Sequence, residues 1–280
     1  MNKTLAIFEL MRLDKPIGIY LLLWPALLAL VISSNGNFEY VDLIIVIIGS
    51  ILVRSAGCVI NDIWDKDLDG GVERTKTRPI PSKKLSISES WVVFAVLSIL
   101  SLMLLSLTNA NTILISICFG LMIVVYPLTK RFFIGPQIFL GLTFNPTIIV
   151  YAMTNELNNP TMIFLYLAIA AKTIAFDSFY GLCDIEDDKK LGIHSTPLWW
   201  GSKTLLIIAI LQFAVISFLM VVGLKAELSF AWYIGIILLS GFYFYQHQLA
   251  SQKNFLLAFK NNHWASLYLL TLSVFCFLII

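Results

Sequence analysis

LIIVIIGSILVRSAGCVI, Leu43 to Ile60, runs directly into NDIWDKDLDGGVERTKTRP, Asn61 to Pro79. The first stretch carries a single charge, Arg54. The second sets Asp62, Asp65, Asp67 and Asp69 within a few residues and mixes them with Lys66, Arg74, Lys76 and Arg78. A helix needs about 20 mostly apolar residues to cross the hydrocarbon core of a bilayer. The first stretch is long enough, so the junction puts four carboxylates where a membrane helix emerges. Composition agrees. Of 280 residues 59% are hydrophobic and 13% charged, with a mean hydropathy of +0.86. A soluble domain carries roughly 25% charged residues.

Working outward, nine segments read as spans: 17–33, 41–60, 89–108, 111–127, 137–153, 161–182, 204–223, 228–245 and 264–280. The expectation is an all-α membrane protein forming one domain over residues 1–280. No small-residue cleavage site follows the first apolar run, which therefore reads as a first span, not a secretory signal. Orientation follows from Lys and Arg. With the N-terminus cytoplasmic, 16 of the 19 fall in the tail and in loops on that side; Lys225 is on the other side, and Arg54 and Lys172 lie within spans. A wrong span count would scramble that alternation.

A net charge of +2 gives no footing for nucleic acid. Cys58, Cys118, Cys183 and Cys276 are scattered in or beside apolar runs, with neither zinc spacing nor a disulfide framework.

A second acidic cluster, Asp177-SFYGLC-Asp184-I-Glu186-Asp187-Asp188, closes the sixth span on the same side. The two clusters lie four spans apart, a spacing that hints at a parallel duplication. Asn61, Asp65 and Asp69 are spaced by four, as are Asp184 and Asp188. If the helices continue, each set lines one face, one turn apart. Asp177 lies on the second stripe two turns deeper. Like charges at this spacing repel, so the stripes suggest a cation between them.

All-oxygen donors with no thiolate or spaced imidazole suit Mg²⁺ or Ca²⁺. Neither cluster has the glycine and glutamate of a twelve-residue calcium loop. Mg²⁺ commonly shares its shell with phosphates, and Arg78, Lys130 and Arg131 on the same side suit phosphate oxygens. Beside an apolar interior, this points to a substrate with a diphosphate head and a greasy tail. Asp177 and Arg54, charged within spans, read as functional; for Arg54 a salt bridge with a buried carboxylate is the simpler alternative. Lys172, off the stripe, reads as structural. Tyr180, one turn from Asp177 and Asp184, reads either as an interfacial aromatic or as part of the site.

These features resemble the UbiA superfamily of intramembrane prenyltransferases, whose signature is an N/D-xxx-D-xxx-D stripe and a second D-xxx-D stripe. MRLDKPIG (11–18), LLLWP (21–25), RSAGCVINDIWDKDLD (54–69), RTKTRPIPS (74–82), YPLTKR (126–131), PQIFLGLTF (136–144) and AFDSFYGLCDIEDDKKLGIHST (175–196) are similar in order and spacing to the branch that prenylates 4-hydroxybenzoate. NNHW (261–264) is a weaker echo, and Gly181-Leu182-Cys183 departs from an alanine-containing version.

The resemblance implies nine helices in a horseshoe around a cavity open to lipid. It implies Mg²⁺ and a polyprenyl diphosphate, and prenyl transfer to the ring carbon meta to the carboxylate of 4-hydroxybenzoate, in ubiquinone synthesis at a bacterial inner membrane. On this basis Asn61, Asp65, Asp69, Asp184 and Asp188 are expected to hold metal. Arg78, Lys130 and Arg131 are expected on diphosphate, and Arg54 on the benzoate carboxylate. Arg12, or Lys15, is expected to cap the site from the tail, with Arg12 also set toward the aromatic acid. Asp177 and Tyr180 are expected near the reacting carbon, in a catalytic set with Asp65, Asp69 and Asp184. Naphthoate or homogentisate acceptors, and a transporter with an acidic vestibule, are the competing readings.

Overall fold

A computed structural model describes residues 3–278, and all regular structure in that range is helical. A short helix α1 (Lys3–Leu10) precedes α2 (Ile17–Ser33), α3 (Tyr40–Trp64), α4 (Ile87–Leu105) and α5 (Ala110–Thr129). Two short helices follow, α6 (Pro136–Thr143) and α7 (Thr147–Met153), then α8 (Thr161–Cys183), α9 (Ile185–Leu191) and α10 (Thr196–Trp200). The chain ends in α11 (Thr204–Lys225), α12 (Phe230–Ser251) and α13 (Phe255–Leu278). Among the described residues five helical stretches are long and apolar enough to cross a membrane: 40–64, 87–105, 110–129, 161–183 and 196–225; Ile17–Ser33 is a shorter apolar helix.

Local signals set the helix starts. Ser86 and Glu89 form a reciprocal capping box that opens α4. Asn109 accepts the Thr112 N–H at 2.9 Å and opens α5.

Two sequence expectations change. The span expected over 137–153 is interrupted: α6 stops at Thr143 and α7 starts at Thr147. Pro146 has no N–H and disfavours helical dihedrals at Asn145; the Asn145 side chain takes over, accepting the Thr147 N–H at 3.2 Å. The last helix begins at Phe255, nine residues before the expected start at 264. FLLAFKNNHW contains no helix breaker, and its polar groups find partners inside the bundle. Asn261 accepts from Gln246 at 3.0 Å and His263 from Trp24 at 3.0 Å. Residues 279–280 of that expected span lie outside the described residues.

α8 is the hub. It packs on α2, α6, α7, α11 and α13, and Leu165 and Ala168 on it are wholly buried with Leu219, Trp232, Ile236 and Leu269. α3 packs on α2, α4 and α5, and α5 packs on α6 and α7, so both join the bundle, while α4 packs chiefly on α3. Residues of α2 to α8 and of α13 line the cavity that these helices enclose.

Candidate active site

α3 ends at Trp64, and Asp65 is its C-cap. Asp69 sits in a short 3-10 turn, so the first stripe is not one continuous helix face. The four-residue spacing nonetheless survives in the backbone: the Asp65 N–H donates to the Asn61 carbonyl at 2.9 Å, and the Asp69 N–H to the Asp65 carbonyl at 2.8 Å. The second stripe behaves alike. Asp184 caps α8 and precedes α9, and the Asp188 N–H donates to the Asp184 carbonyl at 2.8 Å. Each stripe is thus built from helical turns that outlast the helix.

All five stripe residues face one cavity of about 1400 Å³. Asp177, Tyr180, Arg54, Arg12, Lys15, Arg78 and Lys130 face it too. Basic side chains cross-link this end. Arg78 donates to Asp62 at 3.0 Å and to Asp69 at 2.8 Å. Lys130 donates to the Asp65 carboxylate, which also accepts from Asn61 Nδ2 at 3.1 Å. Arg12 reaches both oxygens of Asp62 at 2.8 Å. It therefore fastens the N-terminal tail to Asp62, beside the first stripe.

Arg131 is not brought to the cavity. It donates to the Trp64 carbonyl and caps the exposed end of α3. Lys172 is also outside the cavity wall. It is 2% exposed, donates to Ser266 and lies 5.5 Å from the Phe176 ring centroid.

Among the described residues Arg54 forms neither the salt bridge set against it in the sequence nor any hydrogen bond at Nε, which is buried without a partner. Its guanidinium lies 5.4 Å from the Phe144 ring centroid. Asp177 feels the charges of Arg54 and Arg74 yet pairs with neither among the described residues. A Cβ on Gly18 would come within 2.5 Å of Arg54 Nε. Gly18→Ala is therefore expected to push the guanidinium off its position. The structure of the variant checks this and should show the guanidinium moved away from residue 18 and from the Phe144 ring.

Sequence reasoning missed two residues. Asp62, 1% exposed, anchors both Arg12 and Arg78; being adjacent to Asn61, it fell off the four-residue stripe. Arg74 grips both oxygens of Asp184 and donates to the Tyr180 hydroxyl. With the Glu73 N–H on Asp187 at 3.3 Å, it docks the loop of the first stripe on the second. Burial lowers the pKa of Arg74, but its hydrogen bonds to Asp184, together with the charge interactions with Tyr180 and Asp184, hold it above the usual arginine value. Only its place in the RTKTRP block signalled it.

The donors suit a hard cation. One Asp65 oxygen, Oδ1, is buried without a hydrogen-bond partner, and the surrounding donors are carboxylate and amide oxygens. Burial, and then the neighbouring Asp184, push the Asp188 carboxyl up to about 6; a cation there would relieve both effects. Among the described residues no three Asp, Glu, His or Cys side chains are gathered to hold a metal as they stand. Lys130, Arg78 and Arg74 hold the carboxylates instead.

Residues 22–278 match the UbiA prenyltransferase family. The chain belongs to this family. As a UbiA family member it is 40% identical over 265 residues to a Pseudomonas aeruginosa protein named 4-hydroxybenzoate octaprenyltransferase, covering 92% of this chain and 89% of that one. A Vibrio campbellii protein of the same name is 39% identical and covers 95% of each chain. The fold is similar to the apo structure of a UbiA homolog from Aeropyrum pernix K1, with a TM-score of 0.79 at 21% identity, covering 90% of this chain and 94% of that one. It is also similar to a UbiA homolog from Archaeoglobus fulgidus bound to GPP and Mg²⁺, with a TM-score of 0.75 at 19% identity over 98% and 100%. UbiA membership and the apolar helices make this a membrane protein.

Proposed function

We propose that this UbiA family member is a 4-hydroxybenzoate polyprenyltransferase, moving a polyprenyl group from its diphosphate to the ring carbon meta to the carboxylate, in ubiquinone synthesis. One observation carries this reading. Two carboxylate stripes at the ends of α3 and α8, the first held by Arg78 and Lys130 and joined to the second by Arg74, occupy one end of a cavity whose remaining wall is largely apolar. The name borne by relatives at 39–40% identity supports the acceptor.

Asn61, Asp65, Asp69, Asp184 and Asp188 would hold Mg²⁺. Bound there, Mg²⁺ would supply positive charge against the leaving diphosphate. Lys130 and Arg78 exchange their carboxylate partners for phosphate oxygens and stabilise the charge that builds as the allylic C–O bond breaks. Arg54, unpaired in the cavity, takes the benzoate carboxylate and orients the ring so that its carbon meets the allylic cation. The C–C bond forms and the ring proton leaves, restoring aromaticity. Asp177 and Tyr180 line the wall beside this step, and Phe144, Phe176 and Phe259 keep water from the cation.

Nine spans in a horseshoe belong to the same reading, with α6 and α7 making one interrupted crossing. So do a single membrane domain over the chain, the lipid bilayer as surroundings, a cytoplasmic N-terminus and site, and a bacterial inner membrane.

The test uses membranes from cells expressing the chain, with labelled 4-hydroxybenzoate, a polyprenyl diphosphate and Mg²⁺. A lipid-extractable aromatic product that disappears with EDTA is expected. Product only with a naphthoate or homogentisate acceptor would reassign the substrate. No product with any acceptor in detergent, where no gradient exists, would favour transport.

A further inference from the structure

The block 175–196 carries Asp177, Tyr180, Asp184 and Asp188, but its last residues, Gly192 to Thr196, take no part in the proposed chemistry. They return the chain to the second stripe. Gly192 ends α9 in the left-handed region, at φ +66°, which a side chain would strain. The Gly192 and Ile193 N–H groups both donate to the Asp188 carbonyl, the second at 3.1 Å. The chain therefore doubles back, and Ile193, His194 and Ser195 reach the wall of the cavity. Hydrogen bonds fix this segment on both sides of Ser195. The His194 N–H donates to the Lys130 carbonyl at 2.8 Å, and the Thr196 N–H to Gln137 Oε1 at 2.8 Å. The Thr196 and Ser178 hydroxyls are hydrogen-bonded at 2.7 Å.

The Ser195 hydroxyl itself is idle. Ser195 precedes α10, where a serine commonly accepts a backbone N–H of the first turn, but its side chain makes no such cap. It is 2% exposed, and Oγ is buried with no hydrogen-bond partner among the described residues. A buried hydroxyl left in this state is costly. Its neighbour is Asp188. Burial and then Asp184 raise the Asp188 carboxyl, and Ser195 is foremost among the groups that pull it back, ahead of Lys130 and Arg74. An unused donor thus stands beside a carboxylate of the second stripe.

We infer that Ser195 is a positioning residue for the cation site: its hydroxyl donates to one Asp188 oxygen and leaves the other for the divalent cation. This rests on the metal role proposed for Asp188. A carboxylate that ligates a metal keeps its orientation through a hydrogen bond from outside the coordination shell. Ser195 is suited to that task. A hydroxyl supplies a donor without bringing a positive charge that would repel the cation, as a lysine or arginine would. The fixed segment on which it stands also holds the Lys130 backbone, so the same turn sets a metal ligand and a proposed diphosphate ligand together.

The experiment measures Mn²⁺ binding by electron paramagnetic resonance to the full chain in detergent, for wild type, Ser195→Ala and Ser195→Thr, each with and without inorganic diphosphate. Threonine keeps the hydroxyl, and the extended backbone at 195 (φ −155°, ψ 154°) accepts its branched side chain. Alanine is expected to weaken Mn²⁺ binding about tenfold or more, the usual loss when an outer partner of a metal ligand is removed, and threonine to stay within about threefold of wild type. The loss should be the same with and without diphosphate. The melting temperature of the metal-free alanine variant should not fall, because Oγ has no hydrogen bond to lose. Unchanged Mn²⁺ binding in a folded alanine variant would overturn the inference. So would a loss seen only with diphosphate, which would put the hydroxyl on a phosphate oxygen. Should the alanine variant fail to fold, the structure of wild type with Mn²⁺ and diphosphate decides the matter. Ser195 Oγ within about 3 Å of an Asp188 oxygen supports the inference, and Oγ bonded to any other group overturns it. Failure of the underlying metal reading looks different: wild type itself would bind no Mn²⁺, and the inference would fall with it.

Discussion

Asp65→Asn is expected to lower prenyl transfer by about a thousandfold or more, comparable to deleting a principal electrostatic stabiliser of a transition state. The amide keeps the shape of the side chain and removes its charge. Asp65 is 1% exposed, and its carboxylate holds Lys130 and Asn61 through one oxygen while the other is buried without a partner. That second oxygen is costly to bury unless something fills its coordination. A cation brought in with the diphosphate does so, and then the loss of charge acts on both cation and Lys130. Alanine is the poorer test. It strands a half-buried ammonium, and breaking a buried pair on one side destabilises by about 3–5 kcal/mol. Steady-state rates of the asparagine variant at saturating Mg²⁺, with its melting temperature as a folding control, check this. Wild-type rates would show that the Asp65 charge is not used.

Arg54→Ala is expected to raise KM for 4-hydroxybenzoate about 10- to 100-fold, the equivalent of one charge-assisted hydrogen bond at about 1.5–3 kcal/mol. KM for the diphosphate substrate should not move. The same substitution should leave the melting temperature unchanged or raised, because Arg54 Nε has no partner to lose. This separates substrate binding from the structural salt bridge that the sequence also allowed, whose loss would lower stability with little effect on KM. An acceptor without a carboxylate provides the control, and wild type and variant should use it about equally.

The sequence made the site legible where chemistry follows spacing. Asn61, Asp65 and Asp69, and Asp184 and Asp188, are recognisable because a four-residue step is one helical turn. The turns persist although Asp65 and Asp184 lie just past their helix ends. Arg54 and Asp177 stand out because charge within a span is rare. Asp62 and Arg74 were hidden for the opposite reason. Their positions have no periodic relation to the stripes, and only the folding of the 61–88 loop back over the cavity brings them to Arg78 and Asp184. Arg131 looked equivalent to Lys130 as its neighbour, but the turn after α5 points the two apart, one to Asp65 and one to the Trp64 carbonyl.

The fold was legible to a similar depth. Apolar run lengths located the helices, since lipid demands continuous hydrogen-bonded backbone. They did not locate the break at Asn145-Pro146, because an apolar window averages over a single proline. Nor did they reach the true start of α13, because Asn261, Asn262 and His263 read as loop until Gln246 and Trp24 are seen to receive two of them.

The central claim is that the two stripes form one site for a divalent cation and diphosphate together. The most direct measurement is Mn²⁺ binding by electron paramagnetic resonance to the purified protein in detergent, with and without inorganic diphosphate. The account predicts Mn²⁺ binding that tightens when diphosphate is added and is lost in both Asp65→Asn and Asp184→Asn, although these residues lie on different helices. Mn²⁺ binding that is indifferent to diphosphate, or that survives either substitution unchanged, would contradict it.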